Sequence, residues 1–239
     1  MEKISRLNPL REALKTSSCR VQKILIQKDS AKKKFEDVLL LAESRNVPFS
    51  FVSKRVLDRI AVHHQGIVAY VAEKQWSSFE EIVESADLPF FVLLDGVEDP
   101  HNLGAIIRTA EGAGVNGLFI PKRRAAGLTE AVSLVSAGAV EHVKISQEIN
   151  IARTMDELRK RDIWLVGAEG DSQRNWYEFD YTLPVGLVFG SEGKGLRPLI
   201  RKKCDDILSL PLYGQMASLN VAAAASIFLY EVVRQRKAK

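Results

Sequence analysis

The chain has 239 residues, 46% hydrophobic and 27% charged, with 34 Lys+Arg against 30 Asp+Glu for a net charge of +4. That length allows one large domain or two modest ones, and the apolar content excludes a chain disordered throughout. Two cysteines, Cys19 and Cys204, exclude a disulfide framework and a thiol metal site and point to a reducing cytoplasm.

Charge is unevenly placed. Residues 1–60 carry 14 Lys/Arg and 7 Asp/Glu, a balance of +7, which leaves −3 for the remainder. A basic excess at one end is a handle for a polyanion; the bland alternative for Lys32, Lys33 and Lys34 is the solvated face of a helix. Further basic clusters fall at residues 122–124, 197–203 and 234–239.

The opening residues are amphipathic and charged, without the apolar core of a signal peptide. In chain order, the patterning predicts a helix over 9–15, a strand over 23–27 and a helix from Ala31 to about residue 45. A strand over 48–52, a helix over 54–60 and a strand over 66–72 complete a small α/β module. Residues 77–88, SSFEEIVESADL, read as an acidic joint with a short helix ending before Pro89. The predicted organisation is therefore a first domain over 1–76, a linker over 77–88 and a second domain over 89–239.

The second domain alternates strands and helices. Residues 90–97 form a nearly continuous apolar run, the signature of a strand buried on both faces. Helix 102–112, strand 117–121, helix 129–137, strand 143–146, helix 151–161 and strands 163–168 and 185–190 follow. Helix 198–203, strand 207–211 and a long helix over 219–236 close the chain. The pattern predicts a parallel sheet covered on both faces, with ligands bound beyond the carboxyl ends of its strands. The longest apolar stretch, 221–233, is interrupted by Ser226 and Glu231 and is too short to span a bilayer, so a soluble protein without membrane attachment is expected.

Nucleotide fingerprints fail on context. GAGVNG at 112–117 matches G-x-G-x-x-G but follows a helix and precedes a strand, the reverse of what a dinucleotide needs. GSEGKG at 190–195 has Gly195 where a phosphate loop needs Ser or Thr, and the Glu192 carboxylate would repel a triphosphate. The four histidines, 63, 64, 101 and 142, lack ligand spacing, so no metal site is expected. His63-His64-Gln65-Gly66 reads as a turn into a strand.

Three polar clusters remain, each directly after an apolar strand of the second domain. DGVEDPHNLGAIIRTA places Asn102 and Arg108 six residues apart in a loop-to-helix segment. GSEGKGLR sets three glycines around Glu192. LPLYGQMASLN carries Ser218 and Asn220 into an Ala-rich helix, for which Ser218 alone reads as a plain N-cap. Arg108 alone could be a surface ion-pair residue; together the three sit where a parallel sheet places its ligand loops.

The blocks NLGAIIRTAEGAG, LVFGSEGKGLR and LSLPLYGQMASLNVAAAASIFLYE resemble, in order, the three motifs of the SpoU (TrmH-like) branch of the SPOUT methyltransferases, over essentially all of residues 90–239. NPLREAL and HHQGIVAYV resemble the ribosomal-protein-like RNA-binding domain of the bacterial 23S rRNA guanosine-2′-O-methyltransferases. The family usually has Gly where this chain has Arg6, and often a basic residue where it has Leu134.

The resemblance implies an α/β SPOUT-type parallel sheet with a deep C-terminal trefoil knot, preceded by a small α/β RNA-binding domain. It implies S-adenosylmethionine as cofactor, held by positions that fall here on Gly190, Leu210 and Leu219, with Gly167, Ala168 and Glu169 nearby. It implies a homodimer through the knot domain and an RNA partner, a guanosine of 23S rRNA ahead of tRNA or an antibiotic-site position in rRNA. The non-catalytic alternative is an RNA-binding assembly protein.

Of the site residues, the motif-one arginine, here Arg108, is the family's proposed base. A guanidinium pKa above about 12 makes phosphate binding and alkoxide stabilisation an equally physical role. Asn102 would orient the ribose hydroxyl, Glu192 would orient Arg108 or Asn102, and Ser218 and Asn220 would support the cluster.

Overall fold

The computed structural model describes residues 2–28 and 32–238. Its contacts divide into two compact units. The first comprises the described residues up to Gln75 together with Leu128–His142; the second comprises Trp76–Gly127 and the described residues from Val143 onward.

The first unit holds β1 (Glu2–Ile4), α1 (Leu7–Lys15), β2 (Val21–Gln27), a 3-10 turn (Lys32–Lys34), α2 (Glu36–Ser44), β3 (Phe49–Val52), α3 (Lys54–Ile60) and β4 (Ile67–Val71). Its four-stranded sheet has the order β1-β4-β2-β3, with β2 and β3 parallel and the other pairs antiparallel. The helix expected from Ala31 is instead a 3-10 turn followed by α2 from Glu36; Ala31 itself lies outside the described residues. Strand β1 escapes sequence reading because it has three residues, two of them charged.

The helix expected at 129–137 is shorter, α6 (Glu130–Val135), capped by the Thr129 hydroxyl and followed by a 3-10 turn (Ala139–Glu141). Its contacts lie with the first unit rather than with the surrounding chain. Ser5 Oγ donates to Glu130 at 2.6 Å, and Arg20 pairs with Glu141 at 2.8 Å and with Glu2 at 2.8 Å. Glu141 is 9% exposed, so its charge is compensated by the guanidinium and the pairing fixes the segment in place.

In the second unit, β5 (Phe90–Asp95), β6 (Gly117–Pro121), β7 (Ile145–Glu148), β8 (Trp164–Ala168), β9 (Val185–Gly190) and β10 (Asp206–Leu208) form a fully parallel sheet of order β10-β8-β9-β5-β6-β7. All six residues of β5 and of β9 are buried, as strands covered on both faces require. Helices α4 (Phe79–Val83), α5 (Pro100–Gly112), α7 (Ile151–Arg159), α8 (Pro198–Lys203) and α9 (Val221–Lys237) accompany the sheet.

The acidic joint is not a bare linker. Ser78 and Glu81 form a reciprocal capping box for α4, whose Ile82 is wholly buried in one core cluster with Phe91, Phe119 and Met155. The strand order reverses between β5 and β9, where Asp95 and Gly190 are register partners at the two carboxyl ends. A parallel sheet opens its ligand crevice at such a reversal.

Candidate active site

The crevice is built from loops tied to the strand ends. Gly190 ends β9, and a Cβ there would lie 2.1 Å from the Gly195 carbonyl carbon, so only glycine lets the following loop fold back this closely. Ser191 and Gly195 exchange main-chain hydrogen bonds of 3.1 and 3.0 Å across the loop. Gly195, at φ +64, lies against the Glu169 carboxylate, which a Cβ would approach to 2.5 Å.

The far end of the loop is anchored by two carboxylates. Asp95, 1% exposed, accepts from the Arg197 N–H at 3.1 Å and from Arg197 Nε at 2.7 Å. The Asp95 hydrogen bond holds the Arg197 guanidinium above its ordinary value. Glu169 accepts from the Leu196 N–H at 3.1 Å and is paired with Arg201. Arg201 also bonds Asp171 at 2.8 Å, and Lys203 is paired with Asp156. These ion pairs occupy much of the basic cluster at 197–203.

Asn220 connects the three polar clusters. Its Oδ1 caps α9, accepting from Ala222 N–H at 2.9 Å and Ala223 N–H at 3.3 Å. Its Nδ2 donates to Asn102 Oδ1 at 2.8 Å and to Glu192 Oε1 at 2.7 Å. The N-cap of α9 is therefore Asn220 and not Ser218, because only the amide can serve the helix with one atom and two acceptors with the other. Asn102 sits in the first turn of α5, where Asp99 caps the helix through His101 N–H at 2.9 Å and Pro100 takes the first helical position. Asn102 is 7% exposed, and its Nδ2 has no partner among the described residues.

Two cavities meet at this cluster. The larger, about 1240 Å³, is lined by Asp95, Asn102, Arg123, Arg124, Lys194 and Arg197 among others. The smaller, about 510 Å³, is lined by Ala168, Glu169, Gly190, Leu210, Ser218, Leu219, Asn220 and Phe228 among others. Ser191, Glu192, Lys194 and Gly195 line both, so the glycine loop is their common wall.

Of the expected cofactor positions, Gly190, Leu210, Leu219, Ala168 and Glu169 line the smaller cavity. Gly167 lies beneath it, where a Cβ would meet Ile207 at 2.7 Å, Leu196 at 2.8 Å and Cys204 Sγ at 3.0 Å; its missing side chain serves packing. Burial pushes the Cys204 thiol up to about 12, which leaves it inert. Arg108 lines neither cavity. It is exposed on α5 and has no hydrogen-bond or ion-pair partner among the described residues. Six helical residues rotate it about 120° from Asn102.

Arg123 and Arg124 are the site residues that motif reading passed over. Their signal was the basic cluster immediately after strand β6, and Arg124 adopts a left-handed φ of 60°.

The smaller cavity suits S-adenosylmethionine. Its volume falls within the range of small-molecule sites, and Leu210, Leu212, Leu219 and Phe228 supply apolar walls. Between residues 210 and 219 no main-chain N–H or C=O has a partner among the described residues, which leaves a row of backbone donors and acceptors for a ligand's polar atoms. The Glu192 carboxylate on the common wall favours a sulfonium nearby. Among the described residues, no His/Cys/Asp/Glu group could hold a metal, and no helix is long and apolar enough to cross a membrane.

Known proteins resemble this chain over nearly its whole length. Residues 89–230 match the model of the SpoU rRNA methylase family, and residues 7–77 match that of RNA 2′-O ribose methyltransferase substrate binding. A Bacillus subtilis protein, YacO, named for the TrmH family of tRNA/rRNA methyltransferases, is 39% identical over 96% of this chain and 94% of its own. The Pseudomonas putida 23S rRNA (guanosine-2′-O-)-methyltransferase RlmB is 38% identical over 100% of this chain and 98% of its own. The crystal structure of the SpoU methyltransferase AviRb from Streptomyces viridochromogenes, in complex with AdoMet, superposes with a TM-score of 0.83 at 26% identity, covering 99% of this chain and 90% of that one. The chain belongs to the SpoU rRNA methylase family, and it is an S-adenosylmethionine-dependent RNA ribose 2′-O-methyltransferase.

Proposed function

We propose that this enzyme methylates the 2′-hydroxyl of a guanosine in 23S rRNA, in the cytoplasm, with Asn102, Arg108, Glu192, Ser218 and Asn220 as its working residues. The observation that carries the proposal is the hydrogen-bonded group of Asn102, Asn220 and Glu192 at the wall common to two cavities. In this reading the smaller cavity holds the cofactor, through Gly190, Leu210, Leu219, Ala168 and Glu169, and the larger receives the ribose and its flanking phosphates. Bound S-adenosylmethionine supplies a methyl already activated on its sulfonium, so the protein's work is alignment and management of one proton.

Asn102 directs its unpartnered Nδ2 to the ribose and is itself fixed by Asn220. Glu192 holds the opposite side of the Asn220 amide. Arg123, Arg124 and Lys194 give the larger cavity the charge that a phosphate backbone needs. The first unit captures structured RNA, a role supported by its match to substrate-binding domains and by the +7 balance of residues 1–60. The name of the Pseudomonas putida relative supports 23S guanosine as the target.

The same reading makes the second unit a C-terminal trefoil knot and the enzyme a homodimer through it. Support comes from Ile227 and Tyr230 on α9, which are 38% and 52% exposed. The Tyr230 hydroxyl also reaches the neighbourhood of Gly112, one turn beyond Arg108 on α5. Arg108 then serves the partner's site, which accounts for its absence from both cavities of its own chain.

Methyl transfer from labelled S-adenosylmethionine into separated 23S rRNA and tRNA, with the modified ribose mapped, tests the proposal. Label at a single 23S guanosine is expected. Label in tRNA alone overturns the target, and label in neither overturns the proposal.

A further inference from the structure

We infer that the first unit carries its own RNA-nucleotide site, a concavity of about 550 Å³ lined by Lys34, Lys54, Asp58 and the turn His63–Gly66 among others. The inference rests on the RNA reading above and names where the first unit would grip its substrate.

The turn is built at a conformational cost that its local role does not require. His63, Gln65 and Gly66 all adopt left-handed φ values, 59°, 54° and 92°. A turn into β4 could place Gly or Asn at positions 63 and 65 with less strain; Gln in particular is uncommon at such a φ. The surrounding structure holds them in place. His64, 6% exposed, accepts the Gly66 N–H on Nδ1 at 2.9 Å, so its proton is on Nε2, which donates to Asp58 Oδ1 at 3.0 Å. Lys34 Nζ donates to the Gln65 carbonyl at 2.7 Å, and Gln27 N–H to the Gly66 carbonyl at 2.9 Å. Gly66 lies against the Phe35 ring, which a Cβ would approach to 3.1 Å.

His64, Asp58 and the main chain of the turn are thus occupied in maintaining its shape. The side chains of His63 and Gln65 are not: both are exposed and have no partner among the described residues. Strain kept at a site points to what the strained residues present. Here they present an imidazole face and an amide beside two lysines. Among the described residues, Lys34 Nζ donates only to the Gln65 carbonyl, Lys54 has no partner, and the carboxylate lining the concavity, Asp58, is already bonded to His64. An unstacked RNA nucleotide matches that set, with its phosphate between the lysines, its base stacked on His63 and a base edge read by Gln65.

The test uses the full chain and in-vitro transcribed 23S rRNA as probe, with binding measured across a salt series. Gln65→Gly relieves the left-handed strain, so it is expected to melt no lower than wild type while binding about tenfold more weakly. Lys54→Ala is expected to weaken binding several-fold and to reduce the salt slope by about one. In both variants S-adenosylmethionine affinity and kcat at saturating RNA stay within about twofold of wild type, with the change confined to KM. Wild-type affinity and salt slope in both variants would overturn the inference while leaving the enzyme's RNA activity standing. Failure of the wild-type chain to bind any 23S rRNA would overturn the RNA target reading, and the inference with it.

Discussion

Asn220 performs two tasks with one amide, and a pair of substitutions separates them. Asn220→Ala removes the cap of α9, worth about 0.5–2 kcal/mol, and strips the buried Asn102 Oδ1 of its only donor, worth about 1–3 kcal/mol. A combined loss of about 1.5–5 kcal/mol corresponds to a melting temperature lower by roughly 3–20 °C. Asn220→Asp keeps an oxygen for Ala222 and Ala223 N–H and adds a negative charge that the helix N-terminus favours, so the capping share of the stability should remain.

What Asn220→Asp loses is the Nδ2 bridge. Asn102 and Glu192 then face an acceptor in place of a donor, and the ribose-orienting amide is free to rotate. Displacement of a reacting group by about 1 Å costs about 10² in rate, so kcat should fall by that factor at pH 7.5 while melting shifts by only a few degrees. Acidification should narrow the deficit. Two carboxylates in one site raise the pKa of one of them, and the first to gain a proton becomes an O–H donor that restores the bridge. Methyl-transfer kinetics from pH 5.5 to 8, beside thermal melts, read both effects. A variant within twofold of wild-type kcat at pH 7.5 would refute the view that this bridge organises the reaction.

Arg108→Ala should leave melting and S-adenosylmethionine affinity unchanged, because the side chain is exposed and unpartnered, while methyl transfer is abolished. Mixed with Asn220→Ala chains, it should regain part of the activity if Arg108 serves the partner's site; an inactive mixture with proven chain exchange would place it elsewhere. Gly190→Ala sets a Cβ against Gly195 and should weaken cofactor affinity at least tenfold by calorimetry, since the glycine loop walls the cofactor cavity. Glu231 is held below the usual carboxylate range by its hydrogen bond from Arg234. Its folded pKa is depressed, so its stabilising contribution is complete above the ordinary carboxylate pKa and is lost as pH falls through the folded value. Urea unfolding of Glu231→Gln should accordingly show a shallower loss of stability below about pH 4.5 than wild type; equal acid sensitivity would refute the assignment.

The parts of this fold that sequence reading reached are those set by local composition. The strands at 90–95 and 185–190 are apolar because both their faces are covered, and that pattern is visible residue by residue. The parts it missed depend on pairs far apart in the chain. Nothing near Arg20 signals that Glu141, 121 residues later, neutralises it and draws the segment Leu128–His142 into the first unit. Ser218 and Asn220 are both good capping residues, and local sequence does not choose between them. The choice falls to Asn220 because Asn102 and Glu192, 118 and 28 residues away, supply acceptors for its second atom. The motif blocks point to residues that line the two cavities, but the blocks place Arg108 and Asn102 together while the helix sets them on different faces.

The position of the site follows from the order of the sheet. Because β5 and β9 are neighbours whose following segments leave in opposite directions, their carboxyl ends open a crevice that no side chain from the sheet itself can fill. Asp95 and Gly190 are register partners there, and each closes one side of the glycine loop: Gly190 by having no side chain to keep Gly195 away, Asp95 by binding Arg197 where the loop ends. A loop clamped at both ends makes a firm shared edge, and in the proposed reading the two ligands meet beside that edge, where the cavities adjoin, with no protein atom between sulfonium and hydroxyl. Methyl transfer between a sulfonium and a hydroxyl needs that arrangement, with the acceptor in line behind the methyl and little freedom to drift. The Asn102–Asn220–Glu192 group sits at the wall, bonded across three loops, so that loosening any one of them misaligns the other two.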